Sequence, residues 1–471
     1  MLPRRLTGRI TYNYSDRYLL EVNAGYNGSE NFAPGRRYGL FPAVSAGWVI
    51  SNEEFMTSAG YWLDNLKIRG SYGLVGSDKV PNSKRFIYLQ YFGGGSDYYF
   101  GTDNFNSSAG GGTAEGDLAN PNLSWEKAEK LNVGFDAILF RKRLSVVADV
   151  FYEHRYDIIT DLGGGDKLGF PNIVGKSAPY VNSGIVNNRG IDFEIGWNGK
   201  IGQNFHYYVK PNFTYARNKI KFMNEIPRDY AWRAQTGKRI NEHFVYVFDH
   251  FVKDETEANL LNDMNEGAGF QTWGRLIPGD VVYKDLNGDG KIDDLGDRTS
   301  MGNPRTPEIM FGIPMGFQYK GFDFSVMFQG ATNASVLLSG AAVWDFPLFS
   351  HDKYGKVKPM HLNRWTQETA ETASYPALHF GDHSNNKNSN SSLFLYDASY
   401  LRLKTIEIGY NLPKSKIRFA GFDQVRLYAQ GLNLFTWDGL DDVDIDPETR
   451  EGSGDWYPIQ KVINFGIDIT F

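Results

Sequence analysis

Near the end of the chain Ile463, Phe465, Ile467, Ile469 and Phe471 alternate with Asn464, Gly466, Asp468 and Thr470. Successive side chains of a β-strand point to opposite faces, so this period of two specifies a strand that is apolar on one face only. The same alternation recurs in Phe322, Phe324, Val326 and Phe328, in Val133, Phe135, Ala137 and Leu139, in Leu66, Ile68 and Tyr72, and in Phe193, Ile195 and Trp197. Within residues 398 to 411 the apolar set changes parity, from Leu401 and Leu403 to Ile406, Ile408 and Tyr410, which predicts a β-bulge.

About 13 strands follow from this pattern: residues 4 to 14, 17 to 27, 38 to 50, 63 to 75, 124 to 140, 143 to 156, 189 to 199, 203 to 217, 308 to 319, 321 to 332, 398 to 411, 423 to 434 and 459 to 471. Their connections are of two kinds. Tyr14-Ser15-Asp16-Arg17, Phe140-Arg141-Lys142-Arg143, Gly199 to Gly202 and Lys320-Gly321 are tight turns, whereas residues 76 to 122, 157 to 188, 218 to 305, 333 to 397 and 435 to 458 are long, polar and glycine-rich. Segments 51 to 62 and 412 to 422 are longer connections on the short rim. Many strands reach about 10 residues, the length a tilted strand needs to cross a bilayer, and short turns on one rim with long loops on the other are the pattern of an outer-membrane barrel. Trp48, Trp125, Tyr156, Trp197 and Trp437 lie near strand ends and are candidates for its interfacial aromatic girdles. A soluble antiparallel sandwich shares the period of two but not the strand length.

Composition narrows the alternatives. The 471 residues include 33 Phe, 28 Tyr, 10 Trp and 52 Gly, yet no run of about 18 apolar, uncharged residues that a transmembrane helix needs. MLPRRLTGRI has no apolar signal-peptide core. A net charge of −6 without basic runs argues against nucleic acid as a partner. With no cysteine the chain has neither disulfides nor thiol chemistry.

The segments GRITYNYSDRYLLEVNAGYNGSENF, RYGLFPAVSAGWVISNEEFM, LDNLKIRGSYGLVGS, NPNLSWEKAEKLNVGFDAILFRKRLSVVADVFYEHRYDII, GDVVYKDLNGDGKIDDLGDRTSMGNPRTPEIMFGIPMGFQYKGFDFSVMFQG, NRWTQETA, SYLRLKTIEIGYNLP and QVRLYAQGLNLFTW, with the terminal Phe, resemble in order the SusC-like TonB-dependent outer-membrane transporters. That resemblance implies an all-β fold, an antiparallel transmembrane β-barrel of which residues 1 to 471 supply the C-terminal part, with long extracellular loops. Complete members close 22 strands around a plug, so the plug, the TonB box, the leading strands and any export signal are expected before Met1. An odd strand count agrees, and leaves the strand at 4 to 14 as an edge to be covered. The resemblance further implies uptake of glycans or other oligomeric nutrients, a SusD-like surface lipoprotein, the TonB complex, outer-membrane lipid and the barrel assembly machinery as partners, and the outer membrane of a Gram-negative bacterium as the location. The other reading is a smaller passive porin or adhesin.

Asp285, Asn287, Asp289, Lys291 (through its backbone carbonyl) and Asp293 follow the alternating oxygen spacing of a calcium loop around Gly290. No other cofactor is called for. Position twelve, where an EF-hand carries Glu, is Gly296, and Asp297 follows it; a solvated turn is the competing reading. Asp438, Asp441, Asp442, Asp444, Asp446, Glu448, Glu451 and Asp455, with Arg450 as their only basic neighbour, form an acidic segment read as a solvated loop rather than a cation or ligand site. His351, His361, His379 and His383 match no zinc spacing and are read as surface residues. Residues 382 to 392 read as a polar tip, and Tyr98, Tyr99, Phe100 and Phe105 as rings that stack on sugar, pack against a lid, or pack within their own loop. No nucleophile elbow, P-loop or opposed carboxylate pair is present, so an enzyme is not expected. By resemblance, Phe471 is the aromatic end that the assembly machinery reads.

Overall fold

The computed structural model describes residues 5–81, 84–95, 112–162, 173, 176, 178–343, 358–378, 386, 390–417, 421–440, 443, 445–449, 452–454, 456–457 and 459–471. The chain divides into two units. The first comprises Met1–Phe193, Ala216–Pro227 and Gln235–Arg239, and the second Glu194–Tyr215, Arg228–Ala234 and Ile240–Phe471.

In the first unit β1 (Arg5–Tyr14), β2 (Tyr18–Gly28), β3 (Tyr38–Val49), β4 (Leu63–Ser77), β5 (Glu126–Leu139) and β6 (Leu144–Asp161) pair antiparallel, each with the next, and β7 (Tyr180–Ile201) enters beside β6. In the second unit the end of β7 pairs with β8 (Phe205–Val209), and β8 together with the start of β9 (Asn212–Phe222) pairs with β10 (Ile309–Tyr319). The meander continues through β11 (Phe322–Thr332), β12 (Tyr400–Asn411), β13 (Gln424–Asp438) and β14 (Val462–Thr470). β8 and β9 are one passage of chain interrupted at Lys210-Pro211, where proline has no N–H to give and Lys210 N–H donates instead to the Pro314 carbonyl at 2.9 Å. Every expected strand is therefore present. The parity change in β12 is a bulge: the register with both neighbours slips between Leu403 and Thr405.

Exposure along these strands is inverted relative to a soluble sheet. On β2 the exposed set is Tyr18, Leu20, Val22 and Tyr26, while Glu21 and Asn23 face the less exposed side; on β14 Phe465 is 83% exposed. An apolar face turned outward and a polar face turned inward is the arrangement a membrane wall requires. Rings mark its two edges: Tyr18 stacks on Trp48 at 6.5 Å, and Tyr26 on Tyr38 at 5.2 Å. At about 3.4 Å per residue and a tilt near 40°, the run from Tyr38 to Trp48 rises roughly 26 Å, matching the apolar band of such barrels. Trp125, expected in a girdle, instead packs between Phe32 and Phe41 with its Nε1–H on the Arg37 carbonyl.

Buried apolar clusters lie among the long loops and adjoining strand ends. Phe32, Leu123, Trp125, Ile159 and Tyr180 form one in the first unit; in the second, Val336, Leu338, Met360, Phe394 and Leu440 form another, beside two smaller clusters around Tyr283 and Val252.

The inner face is held by arginines that reach across an intervening strand. Arg69 on β4 passes over Gly134 on β5 to Asp149 on β6 at 2.6 Å, and also binds Asp136 at 3.1 Å. Arg426 on β13 passes over Gly409 on β12 to Asp323 on β11 at 2.5 Å, and binds Glu407 at 2.5 Å. Neighbouring strands are about 4.8 Å apart, so each guanidinium needs a gap in the row of side chains it crosses. Glycine supplies it: a Cβ at Gly409 would lie 2.5 Å from an Arg426 nitrogen and 2.6 Å from an Asp323 oxygen, and one at Gly134 would meet the Asp149 carboxylate. Gly409→Ala is expected to cost about 1–3 kcal/mol, and the double variant with Arg426→Met to cost little more than either change alone. Unfolding followed by heat-modifiable gel mobility checks this; strictly additive losses would refute the shared mechanism.

Candidate functional site

On the inner face of the first unit a groove of about 510 Å³ is lined by Glu21, Ser45, Lys67, Arg69, Ser71 and Asn132, among others. Glu21 is engaged by Arg9 and by Asn23, and Arg69 by its two aspartates. The lining mixes these polar groups with Tyr12, Leu19, Leu20 and Ala46.

Of the long connection between β9 and β10, residues 240 to 308 fold within the second unit, while residues 223 to 227 and 235 to 239 belong to the first. Phe248–Phe251 pairs with Val281–Tyr283, and His243–Tyr246 with Arg298–Met301. A helix, α1 (Glu255–Asn262), starts where the Asp254 carboxylate accepts the Thr256 and Glu257 N–H groups. Tyr246 donates to Asp294 at 2.7 Å and lies 5.8 Å beneath the Arg298 guanidinium; burial and the Asp294 carboxylate push its phenol well up.

The acidic turn predicted from spacing follows the Val281–Tyr283 strand. Asp285 accepts Gly288 N–H at 2.6 Å and Gly290 N–H at 2.8 Å, Asn287 accepts Asp289 N–H, Asp289 accepts Lys291 N–H, and Asp293 accepts Leu295 and Gly296 N–H. The Lys291 ammonium sits 2.9 Å from Asp293 and 3.9 Å from Asp289, and holds the Asp293 carboxyl down against the opposing effect of partial burial. Among the described residues no three His, Asp or Glu side chains converge on a point that could hold a metal. The donors are all oxygen, the chemistry calcium takes, and the lysine would have to swing out to admit it. Position twelve is glycine for a packing reason: a Cβ on Gly296 would strike the Asn287 carboxamide. The acid that follows, Asp297, is fully buried and accepts Leu286 and Asp293 N–H. Burial pushes its carboxyl up despite those hydrogen bonds, and Asp285 and Asp293 push the same way. Trp232, stacked on Tyr230 at 4.9 Å, closes the turn by donating to the Gly296 carbonyl.

Elsewhere the structure departs from the residue-by-residue expectations. Asp446 and Glu448 are not solvated: Arg402, the largest fully buried side chain among the described residues, rises from β12 to meet them at 2.7 and 2.6 Å, and Tyr400 donates to Glu448. A single arginine among apolar neighbours on β12 was the signal available for this pair. His361 is buried, not superficial; its Nδ1 accepts Lys358 N–H and its ring packs on Tyr375 at 4.7 Å. His351, His379, His383, Tyr98, Tyr99, Phe100, Phe105, Asp441, Asp442, Asp444, Arg450, Glu451 and Asp455 lie outside the described residues. Phe471 continues the exposed register of β14 and meets Phe422 edge-on at 5.4 Å.

Comparison with known proteins agrees with this architecture. Residues 6–434 match the family described as TonB dependent receptor-like, beta-barrel. TonB-dependent receptor P26 of Formosa agariphila is 27% identical over 98% of this chain and 46% of its own length. TonB-dependent receptor SusC of Bacteroides thetaiotaomicron is 25% identical over 98% of this chain and 43% of its own. The solved RagAB peptide importer, in its closed-closed state, superposes with a TM-score of 0.74 at 22% identity, over all of this chain and 48% of the matched one, a likeness of fold. The chain thus spans about half the length of the curated relatives it matches. It belongs to the TonB-dependent receptor β-barrel family, whose place is the outer membrane of Gram-negative bacteria.

Proposed function

We propose that this chain forms wall and mouth of an energy-coupled importer of oligomeric nutrients, glycans or peptides, that works with a SusD-like surface lipoprotein and the TonB complex. The observation that carries the reading is a membrane wall with a polar, ion-paired inner face beneath folded long loops, in a chain that matches this family over residues 6–434. Likeness of fold to a peptide importer supports the peptide part of this reading. In the proposed cycle an oligomer is captured between the long loops and the lipoprotein, a plug in the lumen yields to TonB pulling, and solute enters the periplasm. The residues here bind and guide; no bond-breaking step is assigned to them.

Affinity purification from the native membrane is expected to bring down a surface lipoprotein in stoichiometric amount, and disruption of the gene to abolish growth on one class of oligomer while monomers still support it. A protein that arrives alone and passes small solutes passively in liposome swelling would instead be the porin of the alternative reading.

For the turn from Asp285 to Asp293 we propose bound calcium, supported by its all-oxygen donor set and by the backbone N–H groups that pre-shape it. Calcium should raise the melting temperature relative to EGTA, and Lys291→Met should tighten calcium binding by removing a competing cation. A turn bridged only by Lys291 would show no response to calcium and a lower melting temperature in Lys291→Met.

Phe471 is proposed as the residue read by the assembly machinery. Phe471→Ala should lower the outer-membrane level severalfold with transcript unchanged, whereas Phe471→Tyr should restore it; equal levels in all three would refute the role.

A further inference from the structure

The β5–β6 turn is strained in an unusual way. Phe140, Arg141 and Lys142 are three consecutive non-glycine residues in the left-handed region, with φ of 57°, 60° and 62°. Such conformations persist in side-chain-bearing residues only where their surroundings enforce them. Here the enforcing contacts are all backbone donations: Phe140 N–H to the Trp62 carbonyl at 2.7 Å, Lys142 N–H to Asp64 Oδ2 at 2.9 Å, and Arg143 N–H to the Leu139 carbonyl at 3.0 Å. Glycine or asparagine would satisfy that backbone with less strain. Arg and Lys stand there instead, and Arg143 follows.

Arg141, Lys142 and Arg143 are all exposed. No ion pair or side-chain hydrogen bond forms at any of the three among the described residues; the nearby Asp64 carboxylate accepts the Lys142 N–H and sets one negative charge against the three positive ones. The β1–β2 turn on the same rim behaves differently: Arg17 lies 3.4 Å from Glu53 and 3.7 Å from Glu54. This is also the rim at which the Tyr18 and Trp48 rings mark the edge of the apolar band, and Phe140, Phe55 and Tyr61 add rings that are 46%, 65% and 80% exposed. Short turns are the periplasmic ones, so these cations, which outnumber the single Asp64 carboxylate bonded into the turn, stand at the depth of the inner-leaflet headgroups.

The geometry points to a binding site for an anionic glycerophospholipid of the inner leaflet. The headgroup phosphate is held by Arg141, Lys142 and Arg143, and the acyl chains run along the exposed apolar face that begins at Phe140. The inference rests on the membrane placement of the wall and is independent of what is imported. Guanidinium and ammonium groups are strong phosphate partners, and each cation beside an anionic membrane surface multiplies affinity by about fivefold.

Native mass spectrometry of the detergent-purified protein with added dioleoyl phosphatidylglycerol or dioleoyl phosphatidylcholine tests this. The phosphatidylglycerol is expected to be held about ten- to a hundredfold more tightly. R141Q/K142Q/R143Q should abolish the difference and R141K/R143K preserve it, and inorganic phosphate at millimolar concentration should leave the lipid bound. Should the triple variant fail to fold, K142G carries the test, because glycine relieves the left-handed residue while removing one cation; its preference should fall by about fivefold. Equal retention of the two lipids by the unaltered protein, undiminished preference in a folded K142G or triple variant, or displacement by inorganic phosphate would each overturn the assignment, the last in favour of a free anion.

Discussion

In hydrocarbon an unpaired backbone N–H or C=O costs several kcal/mol, and every other feature of the wall follows from meeting that demand. Antiparallel ladders satisfy it between neighbours, which is why β1 to β6 and β10 to β14 proceed by hairpins with each strand beside the next in sequence. Two of the places where the ladder is interrupted show local remedies. Lys210-Pro211 hands a donor to Pro314, and the bulge between Leu403 and Thr405 absorbs one residue so that the apolar set of β12 can change parity without turning lipid-facing side chains inward.

Once the backbone is satisfied, the two faces are free to answer different solvents. The outward face needs only apolar bulk, with rings at the headgroups. The inward face carries charge, and charge beside a low-dielectric wall is tolerable when it is paired. Arg69 and Arg426 pair across two strand spacings, so each links three strands where a backbone ladder links two. The glycines beneath them take part in the ion pairs even though they contribute no atom to them.

The strands were legible because a bilayer enforces the period of two along their whole length. Where the bilayer ends, legibility ends with it: β7 begins at Tyr180, earlier than the expected 189, because residues 180 to 188 extend the strand beyond the apolar band and alternate poorly. The acidic turn was legible in its spacing, as Asp285 and Asp293 show, since its hydrogen bonds are local. Its thirteenth residue was not, because the burial of Asp297 depends on how the loop body folds around it. Arg402 with Glu448, His361 with Tyr375, and Trp125 with Phe32 each join residues far apart in the chain, and no local pattern announces such partners.

The clusters around Val336, Tyr283 and Val252 share no residue with the lipid-facing set. Loop body and wall therefore answer to separate selection. The loops can exchange side chains and lengths while the strands keep their register, and the seams for grafting one relative's loops onto another's wall lie at strand ends such as Phe222 and Ile309. A scaffold of this kind lets the loops diverge while the strands that cross the membrane stay as they are.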